Sequence, residues 1–138
     1  MYKYSKRSMD RLNECHPDLK LILMTAIKYY DITILEGARS TERQKELVAT
    51  GKSKTLNSKH LVQSDGYSHA VDCALYPIDW NDRERFVLLQ GFLRGIAVML
   101  KEQGKISHDL RLGIDWDNDG NVKEHSFFDG PHIELSIK

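Results

Sequence analysis

The stretch HAVDCALYP, residues 69–77, limits the fold of this chain more than any other segment. It is apolar at odd and even positions around a single acidic residue, which is the pattern of a strand covered on both faces. Such a strand belongs inside a sheet that is packed against helices. Its carboxylate, Asp72, is costly to bury unless it is paired, hydrogen-bonded or bound to a metal. Asp72 therefore requires a partner elsewhere in the chain.

The remaining periodicities predict several helices and a few short strands. Apolar residues recur at helical spacing over residues 17–30 and 82–103, and a short helix is expected near the N-terminus. A further helix over residues 41–51 begins with a capping box of Thr41 and Gln44. Further short strands are expected over residues 31–37, 110–116 and 131–137. Because helices and strands do not alternate regularly, the predicted class is α+β with a small, mainly antiparallel sheet packed with helices.

The composition fits a single domain that binds through a local site. The chain has 138 residues, and 20 Lys plus Arg balance 20 Asp plus Glu, so no net field draws it to nucleic acid or to an anionic membrane. No apolar run is long enough to insert across a membrane, and the start, MYKYSKRSMD, lacks the apolar core of a secretory signal. Synthesis as a cytosolic species is therefore expected. Cys15 and Cys73 are expected to be reduced and partly buried.

Three histidines are candidate partners for Asp72. His60 and His69 precede it in the chain, and His132 lies in the last predicted strand. Catalytic zinc takes three protein ligands from His, Asp or Glu and keeps a fourth position for water, so two of these histidines with Asp72 are a sufficient set. Asp129 lies three residues before His132, where a general base for the reaction water is expected.

Four stretches, taken in order, resemble the motifs of a known family. They are EGARSTERQ at 36–44, SKH at 58–60, AVD at 70–72 and DGPHIEL at 129–135. They are similar to the motifs of the zinc peptidases that cleave D-Ala-D-Ala and L-alanyl-D-glutamate bonds, which include VanY-like enzymes and small phage endolysins. The resemblance covers nearly the whole chain. It implies the α+β fold that this family shares with the signalling domain of Hedgehog, and one peptidase domain over 1–138 with no separate wall-binding domain.

The same resemblance implies a function and a setting. It implies a zinc endopeptidase that hydrolyses the L-alanyl-D-glutamate bond of the peptidoglycan stem peptide and so lyses the bacterial host of a phage. Such a protein is expected to be a monomer and to stay in the host cytoplasm until a separate holin-type protein gives it access to the wall. Two alternatives stay open: a D-Ala-D-Ala carboxypeptidase or dipeptidase of the same fold, and a non-catalytic binding module that keeps the zinc.

The site residues of this family have counterparts in the chain. The resemblance implies that His60, Asp72 and His132 are the zinc ligands and that Asp129 is the catalytic acid/base. Arg39 matches an arginine that in some relatives steadies the substrate carbonyl or the tetrahedral intermediate. Two of these assignments have simpler alternatives. Asp129 precedes a glycine, as turn-forming Asp residues often do, and Arg39 lies near a helix start, where Arg is often ion-paired.

Further candidates surround this set. The resemblance implies that Ser58 and Glu134 contact the ligands or the substrate. Eleven residues separate His60 from Asp72, a longer spacing than the HxxGxAxD pattern of many relatives. Either the longer segment borders the cleft, or His69 is the metal ligand in place of His60. Because His69 and Asp72 point to opposite faces of a regular strand, His60 is favoured as the ligand and His69 as a supporting residue.

Residues 115–126, DWDNDGNVKEHS, resemble the front of an EF-hand calcium loop. Carboxylates at loop positions 1, 3 and 5 and the glycine at position 6 match that pattern, whereas Ser126 replaces the bidentate Glu at position 12. Some related endolysins carry a calcium-responsive loop near this place. The candidate ligands for a regulatory Ca²⁺ are Asp115, Asp117, Asp119 and Asn121. The alternative is a plain hairpin turn, because Asp-Gly is a strong turn signal.

Overall fold

A computed structural model describes residues 2–53, 55–121 and 128–137. Within these ranges the helices are α1 (Lys6–Leu12), α2 (Pro17–Ala26), α3 (Thr41–Ala49) and α4 (Arg83–Glu102). The strands are β1 (Ile32–Glu36), β2 (Ala70–Leu75), β3 (Asp109–Leu112) and β4 (His132–Ser136). The predicted α+β class with a small antiparallel sheet is confirmed. No helix in the described ranges is long and apolar enough to cross a bilayer.

The sheet places the candidate site on its two central strands. Its strand order is β1-β2-β4-β3, and every neighbouring pair is antiparallel. Asp72 of β2 lies directly opposite His132 of β4, and a register shift at the end of β1 brings Glu36 opposite Asp72 on the other side. Cross-strand partners project to the same face of a sheet. Side chains that are far apart in sequence therefore meet on one face.

The opposite face of β2 packs into the apolar core. Val71 and Cys73 belong to the core cluster, as the near-continuous apolar sequence of this strand predicted. The long helix α4 contributes Leu89 and Leu93 to the same core and packs against α2, β2 and β3. Each fully buried leucine contributes about 1.5–3 kcal/mol to folding. Burial also raises the pKa of the Cys73 thiol, so this side chain acts as a packing residue.

Several sequence-based boundaries were wrong, and the helix predicted over residues 17–30 ends at Ala26. Helix α3 is capped by Ser40, whose hydroxyl accepts a hydrogen bond from the Arg43 amide at 3.0 Å, and not by Thr41. The expected capping box does not form because Gln44 is buried and makes tertiary hydrogen bonds instead. The strand predicted over residues 110–116 ends at Leu112, since the chain turns after that residue.

Candidate metal centre

Three predicted ligands meet at the floor of a cleft. His60 comes from the loop before β2 and is buried, Asp72 lies on β2, and His132 lies on β4. The His60 Nε2 atom is 3.1 Å from Asp72 Oδ1 and 3.2 Å from His132 Nδ1. The third side, from His132 Nδ1 to Asp72 Oδ1, measures 3.3 Å. The three atoms thus form a nearly equilateral triangle.

The triangle has the dimensions that a tetrahedral ion requires. Bonds of about 2.0–2.1 Å to nitrogen and oxygen separate the ligand atoms of such an ion by about 3.3–3.4 Å. Two imidazoles and one carboxylate are also a donor set that zinc accepts, with a fourth position left for water or substrate. The residues present therefore fit a zinc ion.

Hydrogen bonds behind the rings fix which nitrogen atoms face the centre. His60 Nδ1 donates to the Gly37 carbonyl at 2.9 Å, and His132 Nε2 donates to Glu134 Oε1 at 2.8 Å. Because both partners are acceptors, each ring carries a proton on its outer nitrogen, and its inner nitrogen faces the other two ligand atoms. A carboxylate behind a ligand histidine is a common support in metal sites. The expected role of Glu134 as a contact of the ligand set agrees with this geometry.

Three electron-rich atoms that face one another need a cation between them. Burial alone would lower the pKa of His132, but its hydrogen bonds with Asp72 and Glu134 raise this pKa to about 9. Burial opposes ionisation of Asp72, yet its hydrogen bonds with His132 and His60 hold its pKa well below the usual range. A proton on His132 therefore occupies the centre in the absence of any other cation. The same field favours a divalent ion.

Asp129 lies in the turn that leads into β4 and lines the same cleft. Burial, and then the negative charge of Asp72, raise the pKa of the half-buried Asp129 carboxyl. Its backbone N–H donates to the Gly113 carbonyl at 2.8 Å, and the Gly113 N–H donates to the His132 carbonyl at 2.8 Å. A Cβ at Gly113 would collide with the Asp129 carbonyl, so only glycine permits this approach. The turn thereby holds the candidate acid/base beside the triangle.

Gln90 is a site residue that the sequence reasoning missed. It is buried on α4, and its Nε2 donates to the carbonyls of Gly130, His132 at 2.9 Å and Asp129 at 3.4 Å. One amide group thus ties α4 to the turn that carries both Asp129 and His132. The available signal was a polar residue on the apolar stripe of a long helix, where an amide is costly to bury unless it is hydrogen-bonded.

Arg39 lines the cleft and is ion-paired with Glu36. Its Nε donates to Glu36 Oε1 at 2.5 Å, and its Nη1 donates to Gln44 Oε1 at 2.8 Å. The Gln44 amide in turn donates to Ser53 Oγ at 2.9 Å and to the Thr55 carbonyl at 2.5 Å. Gln44, the second residue that the sequence reasoning missed, therefore connects Arg39 to the loop at the mouth of the cleft.

The remaining candidates separate into two groups. Ser58 lines the cleft, and its hydroxyl accepts a hydrogen bond from the His60 N–H at 3.1 Å. The expected support from His69 is not found, because this ring bonds to Asp65 Oδ2 at 2.6 Å and packs against His16. Its position agrees with strand alternation, which directs it away from the face of Asp72.

The Asp-rich segment forms a tight loop at one wall of the cleft. Asp115 is buried, accepts from Arg94 at 2.8 Å and also accepts from the backbone N–H of Asp119 and Gly120. The carboxylates of Asp115, Asp117 and Asp119 offer oxygens within 4.8 Å of one another. The fourth candidate ligand, Asn121, donates its backbone N–H to Asp119. Ser126 lies outside the described residues.

The cleft above the triangle has a volume of about 620 Å³. Trp116 forms part of its wall and stacks on the His132 ring at a centroid distance of 5.2 Å. Lys52, Lys59 and Arg111 also line it. A cleft of this size accepts a short peptide. An α+β domain with a His–Asp–His triangle and a carboxyl of raised pKa in such a cleft has the layout of a hydrolase.

Comparison with known proteins specifies the family. The chain belongs to the phage L-alanyl-D-glutamate peptidase family, whose sequence model matches residues 1–136, as the motif resemblance predicted. It is 30% identical over 146 aligned positions to the L-alanyl-D-glutamate peptidase of Escherichia phage T5, covering 97% of this chain and 98% of that protein. It also resembles the crystal structure of the Serratia marcescens L-Ala D-Glu endopeptidase ChiX, with a TM-score of 0.72 and 28% identity over 97% of this chain and 90% of that one.

Proposed function

We propose that this protein is a zinc endopeptidase that hydrolyses the L-alanyl-D-glutamate bond of the peptidoglycan stem peptide. The observation that carries the proposal is the triangle of inward-facing acceptor atoms on His60, Asp72 and His132, with sides of 3.1–3.3 Å. Membership of the L-alanyl-D-glutamate peptidase family supports the choice of substrate. The printed names of the phage T5 and Serratia relatives point to the same bond.

In this proposal His60 Nε2, Asp72 Oδ1 and His132 Nδ1 hold the zinc ion. When bound, zinc supplies Lewis-acid polarisation of a carbonyl and makes water a nucleophile near neutral pH. Gly37 and Glu134 hold the outer nitrogens of the two rings, so little reorientation is needed for binding. Ser58 fixes the backbone of His60 and is positioned to contact the substrate.

Asp129 moves the proton in the proposed reaction. Its carboxylate accepts a proton from the attacking water and then delivers this proton to the nitrogen of the leaving amine. Burial and the charge of Asp72 raise its pKa, which brings the acid closer to the operating pH and makes it a better proton carrier. Arg39, held by Glu36 and Gln44, presents its guanidinium in the cleft, where it can stabilise the developing oxyanion.

The proposed setting follows from the substrate. The chain would act as a single catalytic domain and as a monomer on peptidoglycan, after release from the host cytoplasm at lysis. We propose that a separate holin-type protein opens the membrane and gives the enzyme access to the wall.

The decisive experiment compares wild type with Asp129→Asn on purified peptidoglycan. General acid/base catalysis contributes about 10²–10⁴-fold to a rate, so the variant is expected to lose that much kcat while it keeps its zinc. Asp10→Asn, at an exposed position of α1, is the matched control and keeps full activity. Equal activity of wild type and Asp129→Asn would show that Asp129 is not the proton carrier.

The products identify the bond that is cut. Mass spectrometry of the released muropeptides distinguishes cleavage after L-alanine from removal of a terminal D-alanine, which would indicate the carboxypeptidase alternative. Chelation followed by zinc addition tests the metal. Activity that survives complete removal of zinc would refute the zinc mechanism, whereas zinc binding without any hydrolysis would support the binding-module alternative.

A further inference from the structure

A second group of histidines lies outside the cleft. The rings of His16, His69 and His108 pack edge to face, with centroid distances of 4.9 Å, 5.1 Å and 5.7 Å. They come from the start of α2, the residue before β2 and the residue before β3, and the carboxylates of Asp18 and Asp65 border them. We call these five residues the histidine cluster. Among the described residues that line the cleft, none belongs to the cluster.

One triplet of the histidine cluster has the donor atoms of a metal site. Asp65 Oδ2 is 2.6 Å from His69 Nε2 and 3.8 Å from His16 Nε2, and the three donor atoms lie within 4.8 Å of one another. Asp65 is exposed in a loop, so its side chain has room to move towards a bound ion. Two imidazoles with a carboxylate select transition metals such as zinc, nickel, cobalt or copper over calcium and magnesium.

Existing hydrogen bonds favour this triplet over its neighbour. In a second triplet, His16, Asp18 and His108, the Asp18 carboxylate already accepts the Ser107 N–H at 3.0 Å and lies 2.8 Å from His108 Nδ1. Binding of a metal to His16 Nε2 places the proton of the neutral ring on Nδ1, so it replaces the hydrogen bond that Nδ1 accepts from the Asp18 N–H at 2.9 Å. Burial lowers the pKa of His16, which keeps its ring in the neutral form that binds metals.

We propose that His16, Asp65 and His69 form a second site for a divalent transition metal, distinct from the catalytic centre. His108 lies beside it, with its Nδ1 on Asp18 Oδ2 at 2.8 Å and its Nε2 free of that bond. The site joins the start of α2 to the segment between His60 and Asp72. The backbone of this segment already docks there, since Ser68 bonds to both Glu14 and His16. The bound metal therefore has a structural role and stabilises the long segment.

The test counts bound metal in untagged protein that has first been stripped with a chelator. His16→Asn removes the imidazole but keeps a favoured helix cap, and Asp65→Asn removes the charge at an exposed position. After equilibrium dialysis against zinc, elemental analysis is expected to give two ions per chain for wild type. It is expected to give one for His16→Asn with Asp65→Asn, and one for His132→Ala, which lacks the catalytic ligand. The double variant keeps wild-type peptidase activity at saturating zinc.

A second measurement keeps the inference testable if a variant misfolds. In wild type, substoichiometric zinc is expected to shift the imidazole NMR signals of His16 and His69, and to raise the Tm in a way that the double variant loses. Equal zinc content of wild type and the double variant would overturn the second site. Imidazole signals that respond to pH but not to zinc would also overturn it, since the cluster would then bind protons only. Failure of the proposed catalytic zinc site would be distinguishable from failure of the second site, because wild type and His132→Ala would then bind the same amount of zinc.

Discussion

Replacing Glu134 with glutamine tests how the proposed ligand His132 is held. The Glu134 carboxylate accepts from His132 Nε2 at 2.8 Å, and both side chains are buried. Glutamine can keep the hydrogen bond through its amide oxygen but removes the negative charge. Loss of a supporting partner of this kind costs about 10–100-fold in metal affinity. That factor corresponds to about 1.4–2.7 kcal/mol.

The size of this loss should depend on pH, with a definite sign. Despite burial, hydrogen bonds with Asp72 and Glu134 raise the pKa of metal-free His132 to about 9. Zinc must displace that proton below pH 9, so wild-type affinity is expected to fall as pH decreases from 9 towards 7. Glu134→Gln lowers the His132 pKa and so weakens proton competition. The ratio of variant to wild-type Kd is therefore largest at pH 9 and smaller at pH 7.

The assay is zinc competition against a chromophoric chelator at several pH values, with kcat measured at saturating zinc. Glu102→Gln, at the exposed end of α4, is the matched control and should leave the Kd unchanged. A Glu134→Gln Kd within about twofold of wild type at pH 9 would refute the supporting role, given the 10–100-fold expectation. A Kd ratio that grows on acidification would refute the proposed proton competition.

Three further predictions concern residues around the triangle. Gln90→Leu should lower the free energy of unfolding by about 1–3 kcal/mol in denaturant titrations, because the buried carbonyls of the 129–132 turn lose their hydrogen-bond donor. It should also lower kcat, and an unchanged kcat would contradict the role of Gln90 in positioning the turn. Arg39→Ala should lower kcat/KM by about 10²–10³-fold, and Arg39→Lys should recover only part of that loss. Full recovery by lysine would argue against a guanidinium that is oriented towards the developing oxyanion. Calcium binding at residues 115–121 should change Trp116 fluorescence, since this ring stacks on His132, and a silent calcium titration would favour the simple turn.

The sequence was informative where local patterns decide the structure. The alternating and helical periodicities gave the order of elements, and a carboxylate in an apolar strand led from Asp72 to three candidate partners, His60, His69 and His132, among which the family resemblance and strand parity favoured His60 and His132. Gln90 and Gln44 could not be assigned, because their roles depend on which carbonyls and side chains tertiary packing brings beside them. Periodicity also does not reveal that a capping pattern such as Thr41 with Gln44 is overridden by a buried tertiary contact.

The His and Asp residues between positions 60 and 72 fall into two separate groups, because successive side chains along β2 point to opposite faces of the sheet. Asp72 projects to the face where the antiparallel register places His132 opposite it, and His60 reaches the same face from the preceding loop. His69 has the other parity and joins Asp65 and the start of α2. A change of register by one residue would exchange the two faces. The register of β2 with β4, rather than the local density of histidines, therefore selects which of them can belong to the proposed metal centre.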